Sequence, residues 1–169
     1  IGNRSLRLLT HGESVDNVAA AEWARGDLPP GVLGEEVLRE VGDEAAEVAE
    51  VFANLKAGQL RQVGVNIELL SGVRVVGTVT DVYEDSIVRA TFSKAKPKHE
   101  LQVWPELLAL AAGEPQAQWT AYMVAFGGGF RLTAPPAEEA IRIARMATQS
   151  GLFPVFEAHD GEELARAVL

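Results

Sequence analysis

From Glu35 to about Ala57 the apolar residues fall at Val37, Leu38, Val41, Ala45, Val48, Phe52 and Leu55. Steps of three and four draw one apolar stripe along a helix, with flanks rich in glutamate. Glu35 and Glu36 stand in the first turn, where the helix dipole favours negative charge, and Gly58 is placed to end the helix. The period then changes. Residues 63–70 alternate in part, and residues 73–83 and 87–92 are rich in β-branched side chains. Ser71-Gly72 and Glu84-Asp85-Ser86 supply turn signals between them, so three strands in meander order are predicted. Gly77 inside the second strand suggests a bulge or a close backbone approach.

Beyond the loop Ser93-Lys-Ala-Lys-Pro-Lys98, the residues Leu101, Trp104, Leu107, Leu108 and Ala111 predict a second helix over about 99–112. Pro105 marks its first turn or kinks it. Residues 119–126 read as a fourth strand with apolar side chains on both faces. Gly127-Gly-Gly129 turns the chain into a short return strand over 130–133. Pro135-Pro136 precedes a helix from about 137 to 150 with Gly151 at its C-terminal cap, and a last short helix is expected near 161–168. Residues 1–34 show no sustained period. With Trp23 as an anchor and the rigid Leu28-Pro-Pro-Gly31, they are expected to be irregular, an N-terminal arm or the end of a preceding domain. The predicted class is α/β, an α+β mixed sheet with flanking helices, with residues 35–169 as the main domain.

Composition removes several kinds of chemistry. With no cysteine among 169 residues, thiol nucleophiles, disulfide frameworks, Cys-ligated zinc and iron–sulfur clusters are excluded. A cytoplasmic setting fits that absence. No apolar run approaches the roughly 20 residues that span a bilayer, and no signal peptide opens the chain. It begins at Ile1 and not Met, as expected of a processed chain or a piece of a longer one. A net charge of −9 argues against a protein that coats nucleic acid with a basic surface. The charge is uneven, however. Residues 1–60 hold 11 acidic and 5 basic side chains, whereas residues 61–100 hold 5 and 6. Any nucleic-acid contact should therefore be local, at Arg89, Lys94, Lys96 and Lys98, unless these are simply solvated edge and loop charges.

Local motifs assert no enzyme. His11, His99 and His159 are dispersed and read as polar surface residues, which leaves no metal site built on histidine. Ser14 lacks the Gly-x-Ser-x-Gly context of a hydrolase nucleophile. Gly127-Gly-Gly129 lacks the Lys-Ser/Thr of a phosphate-binding loop. Glu13 with Asp16, and Glu162 with Glu163, read as solvated helix-end charges. No cofactor is expected.

The order of elements carries more information. Helix, three meander strands, helix and fourth strand is the αβββαβ core of restriction-endonuclease-like, PD-(D/E)xK nucleases. The segment from Leu70 to Tyr83, then Phe92-Ser93-x-x-x-Pro97-Lys98-His99-x-Leu101-x-x-Trp104-x-x-Leu107-Leu108 resembles the C-terminal region of the gamma subunit of exodeoxyribonuclease V, RecC. Ala24-Arg-Gly-Asp-Leu-Pro-Pro-Gly31-x-Leu33-Gly34 is similar to the stretch before that region, and Ala144-x-x-x-x-Thr148-x-x-Gly151-Leu152-x-x-Pro154 to a stretch near its end. The resemblance implies a scaffold with a nuclease-like fold and no catalysis of its own. It also implies partnership with a beta nuclease–helicase and an alpha helicase subunit, and contact with a double-stranded DNA end or fork. In the PD-(D/E)xK nuclease fold that the chain resembles, a carboxylate on the second strand and an acid-x-Lys pair on the third would hold magnesium. Here those positions hold Thr80, Thr91 and Ser93. Hydroxyls are poor magnesium ligands, and Ser93 supplies no cation.

Three readings follow from this pattern. The first is non-catalytic DNA-end handling, strand guiding and subunit docking, with Lys94, Lys96, Lys98 and Arg89 on phosphates. The second is a protein–protein docking module without DNA contact, favoured by the net charge. The third is a working nuclease that uses Glu68, Asp81 or Asp85.

Overall fold

A computed structural model of the chain describes residues 1–68 and 74–149. Among these residues the elements run α1 (Gly2–Thr10), α2 (Val15–Ala24), α3 (Val32–Leu55), β1 (Leu60–Glu68), β2 (Arg74–Tyr83), β3 (Ser86–Thr91), α4 (Pro97–Gly113), β4 (Thr120–Ala125), β5 (Gly128–Thr133) and α5 (Ala137–Gln149). The five strands form one sheet in the order β1-β2-β3-β4-β5, so β4 lies beside the central β3 after the excursion through α4. The order α3-β1-β2-β3-α4-β4 is the predicted αβββαβ. The expected Gly151 cap, the helix near 161–168 and the Ser71-Gly72 turn lie outside the described residues.

Two compact units share these elements. Of the described residues, one comprises Ile1–Lys56, Val88–Ala95 and Met123–Phe130, and the other those within 57–87, Lys96–Tyr122 and 131–149.

In the first unit, the expectation of an irregular stretch over 1–34 is corrected: α1 and α2 are helices that pack on α3. Their apolar stripes are too short to register as a period, since Leu6 and Val18 are their buried hydrophobic residues. Local chemistry starts α2 instead. The Ser14 hydroxyl accepts the Asn17 N–H at 3.2 Å, and Asp16 sits in the first turn. An ion pair ties the helices together. Arg4 donates to both carboxylate oxygens of the buried Glu22, at 3.1 and 2.8 Å, and to Asp27 at 3.1 Å. The loop at Leu28-Pro-Pro-Gly31 turns the chain into α3, which buries Gly34, Ala45, Val48 and Phe52. A Cβ on Gly34 would run into the Pro29 carbonyl oxygen and lie 3.2 Å from the Trp23 ring, so glycine is required there.

In the second unit, β1 and β2 pair antiparallel from Glu68↔Arg74 to Leu60↔Tyr83. Val63, Val65, Val75, Val79 and Val82 are buried. Each fully buried side chain of this kind contributes about 1.5–3 kcal/mol. The β2–β3 hairpin closes on Tyr83↔Ser86, with Glu84 at φ 49° in its two-residue turn. Arg61 clamps that turn. Its Nη2 donates to the Glu84 carbonyl at 2.6 Å and lies 3.8 Å from Asp85, and the guanidinium stands 5.5 Å from the centre of the buried Trp119 ring. Thr120 N–H donates to the Asp85 carbonyl at 3.1 Å, which starts β4 beside the start of β3. Helix α4 packs on β1 and β2 and against α5. It begins two residues before the predicted start, with Pro97 in its first turn and Pro105 inside it. Its buried side carries Val103, Leu107, Leu108, Leu110 and Ala111, while Leu101, placed by the sequence reading on the apolar side, is 60% exposed.

Candidate functional site

The second strand carries a bulge, though not at Gly77. Gly77 pairs in regular register with Val65, and Val79 with Val63. The next pair along is Arg61↔Val82, so the single residue Gln62 of β1 faces two residues of β2, Thr80 and Asp81. Asp81 takes the left-handed conformation, φ 59°, which few residues other than glycine, asparagine and aspartate adopt. Burial records the same slip. Val75 and Val79 are buried four apart, and the next buried residue is Val82, three further on. The extra residue, Asp81, therefore follows directly on Thr80, the second-strand position singled out in the sequence.

At the bulge the Thr80 hydroxyl donates to the Asp81 carboxylate, 3.1 Å away. Burial first, and then the Asp81 charge, push the Tyr83 hydroxyl above its ordinary pKa. The other two sequence-predicted positions also engage each other. Thr91 Oγ1 and Ser93 Oγ are 3.1 Å apart, and the Thr91 hydroxyl accepts the Ser93 N–H at 3.4 Å. Beside them Phe92 is held through its N–H by the Asn3 side chain at 3.1 Å and stacks on Phe126 with ring centres 5.8 Å apart.

The carboxylates weighed for a working nuclease are spread along the hairpin. Glu68 pairs with Arg74 at one end of the β1–β2 ladder. Asp81 lies seven residues beyond Arg74 on β2, roughly 20 Å at about 3.3 Å per residue. Asp85 occupies the turn after β2 and faces Arg61. Among the described residues no three His, Asp or Glu side chains gather as a metal would need.

The four basic residues occupy one stretch of chain. Arg89 is half-buried on β3, and Lys94, Lys96 and Lys98 are exposed. Lys96 is the N-cap of α4 and Lys98 lies in its first turn, so two ammonium groups join the positive end of the helix dipole. His99 corrects the surface reading, being 7% exposed. Its Nδ1 accepts the Lys96 N–H at 3.2 Å, which places the ring proton on Nε2 and closes the start of the helix. This is a histidine version of the capping box, and the usual Glu or Gln signal three residues after the cap is missing from the sequence. His11 is exposed, and its Nδ1 lies 2.7 Å from the Arg7 carbonyl.

A family model described as the RecC C-terminal domain matches residues 1–152. The chain belongs to the RecC C-terminal domain family. It is 38% identical over 124 residues to the RecBCD enzyme subunit RecC of Mycobacterium tuberculosis, covering 73% of this chain and 11% of that protein. It is 38% identical over 138 residues to the RecBCD enzyme subunit RecC of Mycolicibacterium smegmatis, covering 82% of this chain and 12% of that protein. The chain thus spans about a tenth of the length of the curated relatives it matches.

Proposed function

We propose that this domain handles a DNA end and docks partner subunits within a helicase–nuclease complex, and that it does not itself cut DNA. The relatives are named as subunits of the RecBCD enzyme, a setting that suits such a part. The observation that carries the non-cutting half is the state of the three candidate positions. Thr80 is bonded to Asp81 across a bulge, and Thr91 is bonded to Ser93. No carboxylate or lysine stands at any of them to bind magnesium or orient a water. The DNA half rests on Lys94, Lys96 and Lys98, exposed around the start of α4, where cations and a helix N-terminus together suit a phosphate. Such contacts would position a duplex without reading its sequence.

One observation favours a second reading, docking to protein alone: the net charge of −9 repels a polyanion. In that case the lysines would meet an acidic partner surface. The experiment for the non-cutting claim is degradation of linear duplex with magnesium by the purified full-length subunit. No cleavage is expected. Cleavage that disappears on Asp81→Ala would overturn both the assignment of Thr80 and the claim.

A further inference from the structure

Helix α3 contains two glycines, Gly34 in its first turn and Gly42 in its interior, and they differ in kind. Gly34 is required by its neighbours, as described above. Gly42 is not: a Cβ built there meets no atom within 4 Å. A glycine in a helix interior is among the poorest helix formers, second only to proline. Nothing within the described chain therefore accounts for the missing side chain. Gly42 lines a cavity of about 230 Å³ between α1, α2 and α3, whose other walls include Leu9, Val18, Ala19 and Leu38. A dry apolar cavity of about 150 Å³ already admits a benzene ring. This one opens to the surface past Val15, which is 46% exposed, and Glu35, Arg39 and Asp43 stand at its edge.

From the vacant Gly42 position and the charge around it, we infer that this cavity seats an apolar side chain on a helix of a partner subunit, flanked there by lysines or arginines. The exposed side of α3 bears Glu35, Glu36, Glu40, Asp43, Glu47 and Glu50 against the single base Arg39. Arg39 reaches Asp43 at 3.9 Å with both side chains about 70% exposed, so it neutralises little of that charge. The sign weighs against the nearer alternatives. A second copy carries −9, and residues 150–169 of the same chain hold four acids and one arginine. Glycine at the lip lets a helix backbone approach closely while its side chain fills the hole, the usual arrangement of a helix in a groove.

The inference rests on the docking half of the proposed function. In the full-length subunit, Gly42→Leu fills the cavity from its own wall and improves helix propensity, so the melting temperature should not fall. Association with the remaining subunits, followed by sedimentation, should weaken by at least about tenfold, as loss of a buried anchor does. Val15→Lys, at an exposed rim position, should weaken it as well and serves if Gly42→Leu lowers the melting temperature. Glu36→Lys with Glu40→Lys should flatten the salt dependence of assembly. Unchanged association for a folded Gly42→Leu or Val15→Lys subunit overturns the inference. If truncation before this domain then abolishes assembly, docking stands and only the cavity is excluded as its seat. If truncation leaves assembly intact, both fall.

Discussion

Thr80 Oγ1 lies 3.1 Å from Asp81 Oδ2, and these two residues together face Gln62 across the ladder. Asp81 stands at φ 59°, a conformation costing most L-residues about 1–2 kcal/mol and a β-branched residue more. Asp81→Val should therefore destabilise by at least about that amount in urea unfolding. Asp81→Asn keeps both the tolerance for this conformation and an acceptor for Thr80, and should cost far less. It should also bring the Tyr83 hydroxyl part of the way back down, because the Asp81 charge is the smaller cause of its raised pKa. Ultraviolet titration of the phenolate reads this directly.

At Gly34 the usual rule for helices reverses. Replacing a helical glycine by alanine ordinarily stabilises a helix, by up to about 1 kcal/mol in its interior. Here the added methyl meets the Pro29 carbonyl oxygen, a backbone atom that cannot swing aside. Gly34→Ala should lower stability by about 1–3 kcal/mol, the range of overpacked cores. Thermal unfolding that shows a gain would mean the turn into α3 is looser than described.

The Arg4–Glu22 pair predicts an acid limb in the stability profile. Hydrogen bonds from Arg4 hold the Glu22 carboxyl below its usual range, against the upward push of burial. The folded value is then lower than the unfolded one, so the unfolded chain takes up the extra proton. The stabilisation is complete above the ordinary glutamate range near about 4.3 and is lost as pH falls through the folded value. Glu22→Gln should flatten this limb. Arg4→Ala should lower the melting temperature by several degrees at neutral pH and by less in acid, where the stranded carboxyl is protonated.

Much of this architecture could be read from spacing. The α3 stripe and the runs of β-branched residues located the helix and the meander because one-sided burial leaves a period. Helices α1 and α2 escaped because their fully buried apolar residues, Leu6 and Val18, are too few to leave a period, although the Ser14 cap and Asp16 were visible signals. The bulge was also legible in principle. Val75, Val79 and Val82 break the step of two, and Asp81 is a residue that tolerates the left-handed region. Gly77 drew attention instead, because glycine is the commoner sign of a bulge. The burial of His99 had no such signal, since its partner is the backbone N–H of Lys96. Gly42 shows in the sequence as a helix breaker within an amphipathic run, but only coordinates reveal the space beside it.

The most direct test of the proposed role is the salt dependence with which the assembled complex holds a labelled forked duplex, with and without Lys94, Lys96 and Lys98 replaced by alanine. Three phosphate contacts contribute a slope of about −2 to −3 in log affinity against log salt. The triple variant should bind more weakly by a similar factor on every sequence, and its slope should be shallower by that amount. Unchanged affinity and slope, together with loss of subunit association, would contradict DNA handling at this loop and assign the lysines to a partner surface.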